Sequence, residues 1–325
     1  MRAVQVTEHG DSSVLTVVER SRPDPSPEQV RIDVDAAGVN FADVAKRRGT
    51  YFGGPSPPYA PGIEVAGRVD AVGDAVEAFA PGERVTAYVL RGGYAEAVVA
   101  DPARVRHVPD GLSLRAAAAV PIQWLTAHNA LFEWGGLDAG ETVLALAAAG
   151  GVGSAAVQLA ATQTDATVLG AASTAEKRSF VAELGADGTI DYADRDVAEA
   201  VEEATDGAGV DLVLDGVGGD AFEESLDALA PGGRIVTYGL ASGDVPRVST
   251  PRLIFGNHSV RGYHLGEAAD REPDRVFGAF APVLSALSAG EVAVQVDRAF
   301  DLADAAAAHE HVESRQTQGK VLLEP

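Results

Sequence analysis

Ala147-Ala148-Ala149-Gly150-Gly151-Val152-Gly153 is the stretch on which the fold turns. Residues 141–147 (ETVLALA) before it read as a buried strand. Residues 152–163 after it read as a helix, with Val157, Leu159 and Ala160 available for packing. A strand, a turn of small residues and a helix bring free backbone N–H groups and the positive end of a helix dipole to one point, where a pyrophosphate binds. Gly150 allows the backbone to approach the phosphates and Gly153 allows the helix to pack on the strand, while Ala149, Gly151 and Val152 complete the turn. An ordinary strand–helix junction is the simpler reading, and the order strand, turn, helix is what favours the phosphate site over it.

Downstream the alternation continues. Residues 167–171, 210–214 and 234–240 read as strands, with helices over 174–184 and near 219–229. Further strands are expected over 259–264, 292–296 and 320–323, with helices near 273–289 and 301–313. Alternation at this spacing predicts a parallel sheet with right-handed crossovers. Upstream, residues 1–120 are β-rich: Val30-Arg31-Ile32-Asp33-Val34 alternates with period two, and Gly53-Gly54-Pro55, Pro81-Gly82 and Arg91-Gly92-Gly93 supply turns. That spacing suggests a small barrel or irregular β domain.

An NAD-selective site usually carries a carboxylate about 20 residues beyond the glycines, for the ribose 2′-hydroxyl. Here that count lands on Ala172-Ser173-Thr174. Ser173, Lys177 and the helix N-terminus beside them form instead a pocket suited to a 2′-phosphate, which favours NADPH. Lys177 as a solvated helix residue is the alternative. Gly239 and Leu240 end a strand at the carboxyl edge of the sheet, where such sheets bind ligands.

The first turn position is Ala147, and this A-x-x-G-x-x-G form resembles that of the zinc-independent quinone oxidoreductases among the medium-chain dehydrogenases/reductases. The resemblance extends to Gly38-Val39-Asn40-Phe41-Ala42-Asp43, to Pro61-Gly62-Ile63-Glu64-Val65-Ala66-Gly67 and to residues 116–127. It includes Leu184-Gly185-Ala186-Asp187, Asp215-Gly216-Val217-Gly218 and Gly319-Lys320-Val321-Leu322 as well. It implies an α/β protein: a GroES-like β-barrel domain (1–122), a Rossmann doubly wound parallel-sheet domain (123–262) and a C-terminal return to the first (263–325). It further implies a cleft between the domains, with Asn40, Asp43 and Tyr51 as catalytic candidates. Thr126, Tyr192, Gly216, Val217 and Lys320 join the cofactor-binding set. Asn40 and Asp43 equally suit capping of the next helix. Asp215 suits either the cofactor cleft or a cap at its strand–helix junction. Two residues after Asp43 the family often carries a tyrosine, where this chain has Ala45.

Zinc-dependent relatives place a cysteine and a histidine where this chain has Asn40 and Ile63, and the chain has no cysteine. No metal is therefore expected, and no disulfide or thiol chemistry is possible. Of the seven histidines only His309 and His311 are close in sequence; two apart on a helix they do not share a face, and both read as surface residues. The activity implied is NADPH-dependent reduction of a small-molecule quinone. Reduction of a C=C bond in an enone or enoyl thioester is the alternative enzyme, and a non-catalytic NADPH-binding protein the alternative of another class. The resemblance also implies a homodimer, with the strand near 259–264 ending the sheet and meeting its symmetry mate.

The formal charge is −23, with 48 acidic residues against 25 basic ones, and the only lysines are Lys46, Lys177 and Lys320. Such a surface repels nucleic acid and anionic membranes. Dispersed acid with scarce lysine suggests a halophilic source; a GC-rich genome, which exchanges lysine for arginine, is the other account. For a halophile, the unfolding midpoint is expected to rise between low salt and molar KCl, and a flat response would refute that reading. The N-terminal MRAVQVTEHGD lacks an apolar core of the signal-peptide kind and no apolar run is long enough to span a bilayer, so the expected compartment is the cytoplasm.

Overall fold

The computed structural model describes residues Met1–Pro325. It divides into two compact units, Met1–Ile122 with Phe280–Pro325, and Gln123–Ala279. No helix is long and apolar enough to cross a membrane.

The second unit contains the expected doubly wound sheet. Its strands in chain order are Thr142–Ala145, Thr167–Ala171, Gly188–Ile190, Val210–Asp215, Leu229–Thr237 and Ser259–Gly262. All pair in parallel, in the spatial order third, second, first, fourth, fifth, sixth. The order reverses beside the first strand, so the glycine turn that follows it stands at the topological switch point. Apolar runs such as Val143-Leu144-Ala145 and Leu212-Val213-Leu214 are buried, as strands covered on both faces must be. The helix Gly151–Gln163 is buried from Gly153 through Ala160. Its small side chains let it lie close against the sheet. A Cβ at Gly153 would sit 2.5 Å from the Ala147 carbonyl oxygen and 2.6 Å from Ala148 Cα, so only glycine fits there.

The first unit is built on a seven-stranded, mostly antiparallel sheet, in which Val30–Val39 pairs with Glu64–Val72, Ala97–Ala100 and Lys320–Glu324. The return strand thus lies beside the start of the chain, with Leu322 opposite Gly38 and Val321 opposite Val39. Val30, Ile32, Val65, Val85, Val98, Leu302 and Leu323 are among the residues of its core.

Three expectations are corrected. The helix read over 273–289 is two, Pro273–Phe277 and Phe280–Ala289, parted at Gly278, the residue with the weakest helix preference short of proline. The strand read over 292–296 forms instead at Val296–Asp301, because pairing with Lys320–Glu324 selects that register over the local Val292/Val294/Val296 alternation. Residues 263–279 pack with the second unit. Asn129 Nδ2 donates to Tyr263 Oη at 3.1 Å and to the Val276 carbonyl at 3.2 Å, and the Arg275 guanidinium lies 4.1 Å from the Trp134 ring centroid. The return therefore begins at Phe280 rather than at 263. The sequence reading also passed over the helix Val197–Ala204, although Asp196 three residues before Glu199 is a capping signal, and Asp196 Oδ1 does accept from Glu199 N–H at 3.0 Å.

Candidate active site

The first unit contains a buried polar cluster around Asn40. The strand Val30–Val39 delivers the chain to Asn40, which opens the helix Phe41–Arg48. Asp43, one turn in, accepts from the Asn40 backbone N–H at 3.0 Å through Oδ2, so the capping role is present. The Asn40 side chain points elsewhere. Its Nδ2 donates to Glu64 Oε1 at 2.8 Å, and its Oδ1 accepts from Lys320 Nζ at 2.9 Å. Lys320 also pairs with Glu64 Oε1 and donates to the Val39 carbonyl at 3.2 Å. The Ile122 N–H fills Glu64 Oε2 at 2.9 Å. Lys320 is 1 % exposed and Glu64 0 %. Burial raises the Glu64 carboxyl above its ordinary range, and Lys320 leads the contacts that oppose it.

This network explains the first of the sequence motifs. Gly38 precedes Asn40 by two residues, and a Cβ there would fall 2.3 Å from Glu64 Oε1. The glycine makes room for the carboxylate of the second motif. It also corrects one assignment. An ammonium has three hydrogens, and the Lys320 ammonium finds its three acceptors in Val39, Asn40 and Glu64. Lys320 therefore supports Asn40 and has no donor left for a cofactor.

Tyr51 follows the helix, half-buried, with Lys46 Nζ 5.1 Å from its ring centroid. Burial raises its phenol above the ordinary value, with the Asp43 charge adding to the effect. Beneath Asp43 lie residues the sequence reading missed. Tyr94 donates from its hydroxyl to Asp43 Oδ2 at 3.2 Å, and the same hydroxyl is 3.2 Å from His309 Nε2. His309, expected at the surface, is fully buried, because the helix Ala305–Glu313 lays that face against the helix Phe41–Arg48. Arg47 is equally buried and pairs with Glu313 at 2.5 Å. Turn residues flanking Tyr94 masked it; a tyrosine directly after Gly92-Gly93 carries no sequence signal of burial. His311, on the other face of its helix, meets Asp297 Oδ2 at 2.5 Å.

The second unit gathers the residues expected to hold a nucleotide at the carboxyl ends of its strands. Gly150 is the N-cap of the helix Gly151–Gln163 and offers no side chain to its N–H groups. Ala149 is buried beneath the turn, while Gly151 and Val152 are half-exposed. Gln123, which the sequence did not single out, lies against Gly151, where a Cβ would meet its amide atoms at about 2 Å. Thr126 is buried on the short helix Leu125–His128. Ser173 follows the strand Thr167–Ala171, and Tyr192 follows its neighbour Gly188–Ile190. The Ala172 N–H donates to the Ile190 carbonyl at 2.9 Å, which keeps the two strand ends side by side. Arg178 Nη1 on Asp191 Oδ2, at 2.5 Å, fixes the turn carrying Tyr192. Lys177 stands in the first turn of the helix Ala175–Glu183, whose cap Thr174 accepts the Lys177 N–H at 3.2 Å.

Gly216 and Val217 follow the fourth strand, Gly239 and Leu240 the fifth. Ser242 Oγ donates to the Val217 carbonyl at 2.7 Å, which ties the two loops together. Asp215 Oδ1 accepts from Val217 and Gly218 N–H at 2.8 and 2.9 Å, and Oδ2 from Thr237 Oγ1 at 2.9 Å. Of its two readings, the structure shows the junction cap.

The fold and these two groups of residues define a two-domain dehydrogenase/reductase. Residues 151–281 match the zinc-binding dehydrogenase family and residues 26–110 the alcohol dehydrogenase GroES-like domain. The quinone oxidoreductase of Pseudomonas aeruginosa is 37% identical over 329 residues, covering 100% of this chain and 99% of its own. The Escherichia coli quinone oxidoreductase, solved as a complex with NADPH, superimposes with a TM-score of 0.94 at 32% identity, over 100% of both chains. A mycobacterial protein solved with NADPH gives 0.93 at 36% identity, again over 100% of both. The chain belongs to the quinone oxidoreductase family and is an oxidoreductase.

The zinc of the matched family's name does not suit this donor set. The Asn40 amide oxygen and the Glu64 carboxylate both face the Lys320 ammonium, whose charge repels a second cation. Ile63 offers no lone pair.

Proposed function

We propose that this chain catalyses NADPH-dependent reduction of a quinone by hydride transfer, without zinc. The observation that carries the reading is the Asn40 carboxamide clamped between Lys320 and Glu64, on a scaffold whose second unit has a nucleotide turn at its switch point. The clamp fixes which end of the amide donates, and leaves the second Nδ2 hydrogen to polarise an acceptor carbonyl.

The N–H groups at Gly150–Gly153 hold the pyrophosphate, and the N-cap Gly150 brings no side-chain cap to compete for them. Ser173 and Lys177 take the 2′-phosphate, with Tyr192 beside the adenosine end. Thr126, Gly216, Val217, Gly239 and Leu240 line the nicotinamide end. The bound nicotinamide supplies a hydride. Asn40 and the Tyr51 phenol orient the acceptor and stabilise charge developing on its oxygen, while Asp43 holds the segment that carries Asn40. Exclusion of water around these groups strengthens each contact.

The test is oxidation of NADPH and NADH in molar KCl against a panel of quinones, enones and one enoyl thioester. Fast NADPH-linked turnover with quinones is the expected result. Turnover confined to enones or the thioester would transfer the activity to C=C reduction, and tight NADPH binding without turnover would make the chain a binding protein.

A further inference from the structure

Tyr94 joins three distant stretches of the first unit. Its ring is fully buried, and a Cβ at Gly62, which has φ +91°, would fall 2.4 Å from Tyr94 Cδ1. The hydroxyl carries one hydrogen and stands 3.2 Å from both Asp43 Oδ2 and His309 Nε2. Only two arrangements satisfy it. In one, Tyr94 donates to an Asp43 carboxylate and receives from His309 Nε2–H. In the other, a protonated Asp43 donates to Tyr94, Tyr94 donates to Nε2, and the histidine hydrogen moves to Nδ1.

The surroundings of His309 decide between them. His309 Nδ1 is buried and has no hydrogen-bond partner, and the buried Arg47 cation acts on the ring. A hydrogen placed on Nδ1 would be a buried donor without an acceptor beside a positive charge, whereas a bare lone pair there is favoured by that charge. We infer that Tyr94 and His309 are positioning residues which lock the hydrogen-bond direction toward Asp43 and so hold it as a carboxylate with Oδ2 occupied. This rests on the reading that the Asp43 carboxylate holds the segment that carries Asn40 to the acceptor. The other groups facing Asp43 are Lys46 on its own helix and Lys320 on the return strand, with Tyr51 and Tyr59 from the loop after the helix. Burial pushes Asp43 up and His309 down, the latter to about 3, so the histidine is neutral in either arrangement.

The experiment uses the full chain. With ¹⁵N-labelled histidine, His309 is expected to show the nitrogen shifts of the Nε2–H tautomer. The Nδ1–H pattern would overturn the inference. In pH profiles of kcat/KM, Tyr94→Phe is expected to move the acid limb upward by about one pH unit, because a hydrogen bond to the charged form is lost. His309→Gln, whose amide N–H can replace the Nε2–H donor to Tyr94, is expected to leave it in place. An unmoved limb in a Tyr94→Phe protein that melts like the parent would overturn the inference as well, and should that variant not fold, the tautomer of the parent still decides. Asp43→Asn with parental turnover at every pH would overturn the role of the Asp43 carboxylate in holding Asn40 instead, a failure the histidine spectrum tells apart from that of the Tyr94–His309 lock.

Discussion

Lys320→Met is expected to lower the free energy of unfolding by about 3–5 kcal/mol, measured by denaturant titration in molar KCl at neutral pH. The substitution keeps most of the side-chain volume and removes the ammonium. Glu64, 0 % exposed, would then hold a charge whose remaining partners are the Asn40 amide and the Ile122 N–H. Removing one member of a buried pair is costly because the other stays desolvated without its counter-charge. Adding Glu64→Gln to Lys320→Met is expected to recover much of the loss, since the second change removes that stranded charge. Equal stability of the parent and the single variant would mean that Glu64 takes up a proton at little cost. Activity is expected to fall in both variants, because each leaves the Asn40 carboxamide without one of its two anchors.

Lys177→Ala is expected to raise the KM for NADPH by about 10–100-fold while changing that for NADH less than about 2-fold, from the ~1.5–3 kcal/mol of a charge-assisted hydrogen bond. The residue stands in the first turn of the helix after Ser173, where a 2′-phosphate also gains from the helix dipole. Glu176 shares that turn and opposes an anion, so the preference for NADPH depends on Lys177 more than it would in a neutral turn. Parallel changes with the two cofactors would refute the assignment. Steady-state kinetics with one fixed acceptor suffices.

The parallel sheet was legible because its determinants are local. Apolar strands, a run of small residues and a helix of alanine and valine follow one another within 141–163, and each step is visible in composition and period. The 2′-phosphate site proposed at Ser173 and Lys177 rests on local sequence as well, since the two residues lie within five positions of each other. The Asn40 cluster was only half legible. Asn40, Asp43 and Glu64 stand in recognisable motifs, but their role depends on Lys320, 256 residues from Glu64, and only the strand register places it. Tyr94 and His309 were not legible at all. They are 215 residues apart, and the pattern around His309, AAAAHEHVE, looks like a solvated helix until the helix Phe41–Arg48 packs on it. The strand at Val296–Asp301 failed for a related reason, since local alternation pointed to 292–296 and long-range pairing chose otherwise.

The insertion of residues 123–279 between the two parts of the first unit sets an order of birth. On a ribosome adding roughly 5–20 residues per second, Glu64 emerges about 13–50 s before Lys320. Late in that interval, once residue 262 is made, the second unit has all its strands and can close its sheet, while the first still lacks both its return strand and the cation that neutralises Glu64. The older half of the chain is thus the later to mature, and the nucleotide turn is finished before the residues that would orient an acceptor are locked.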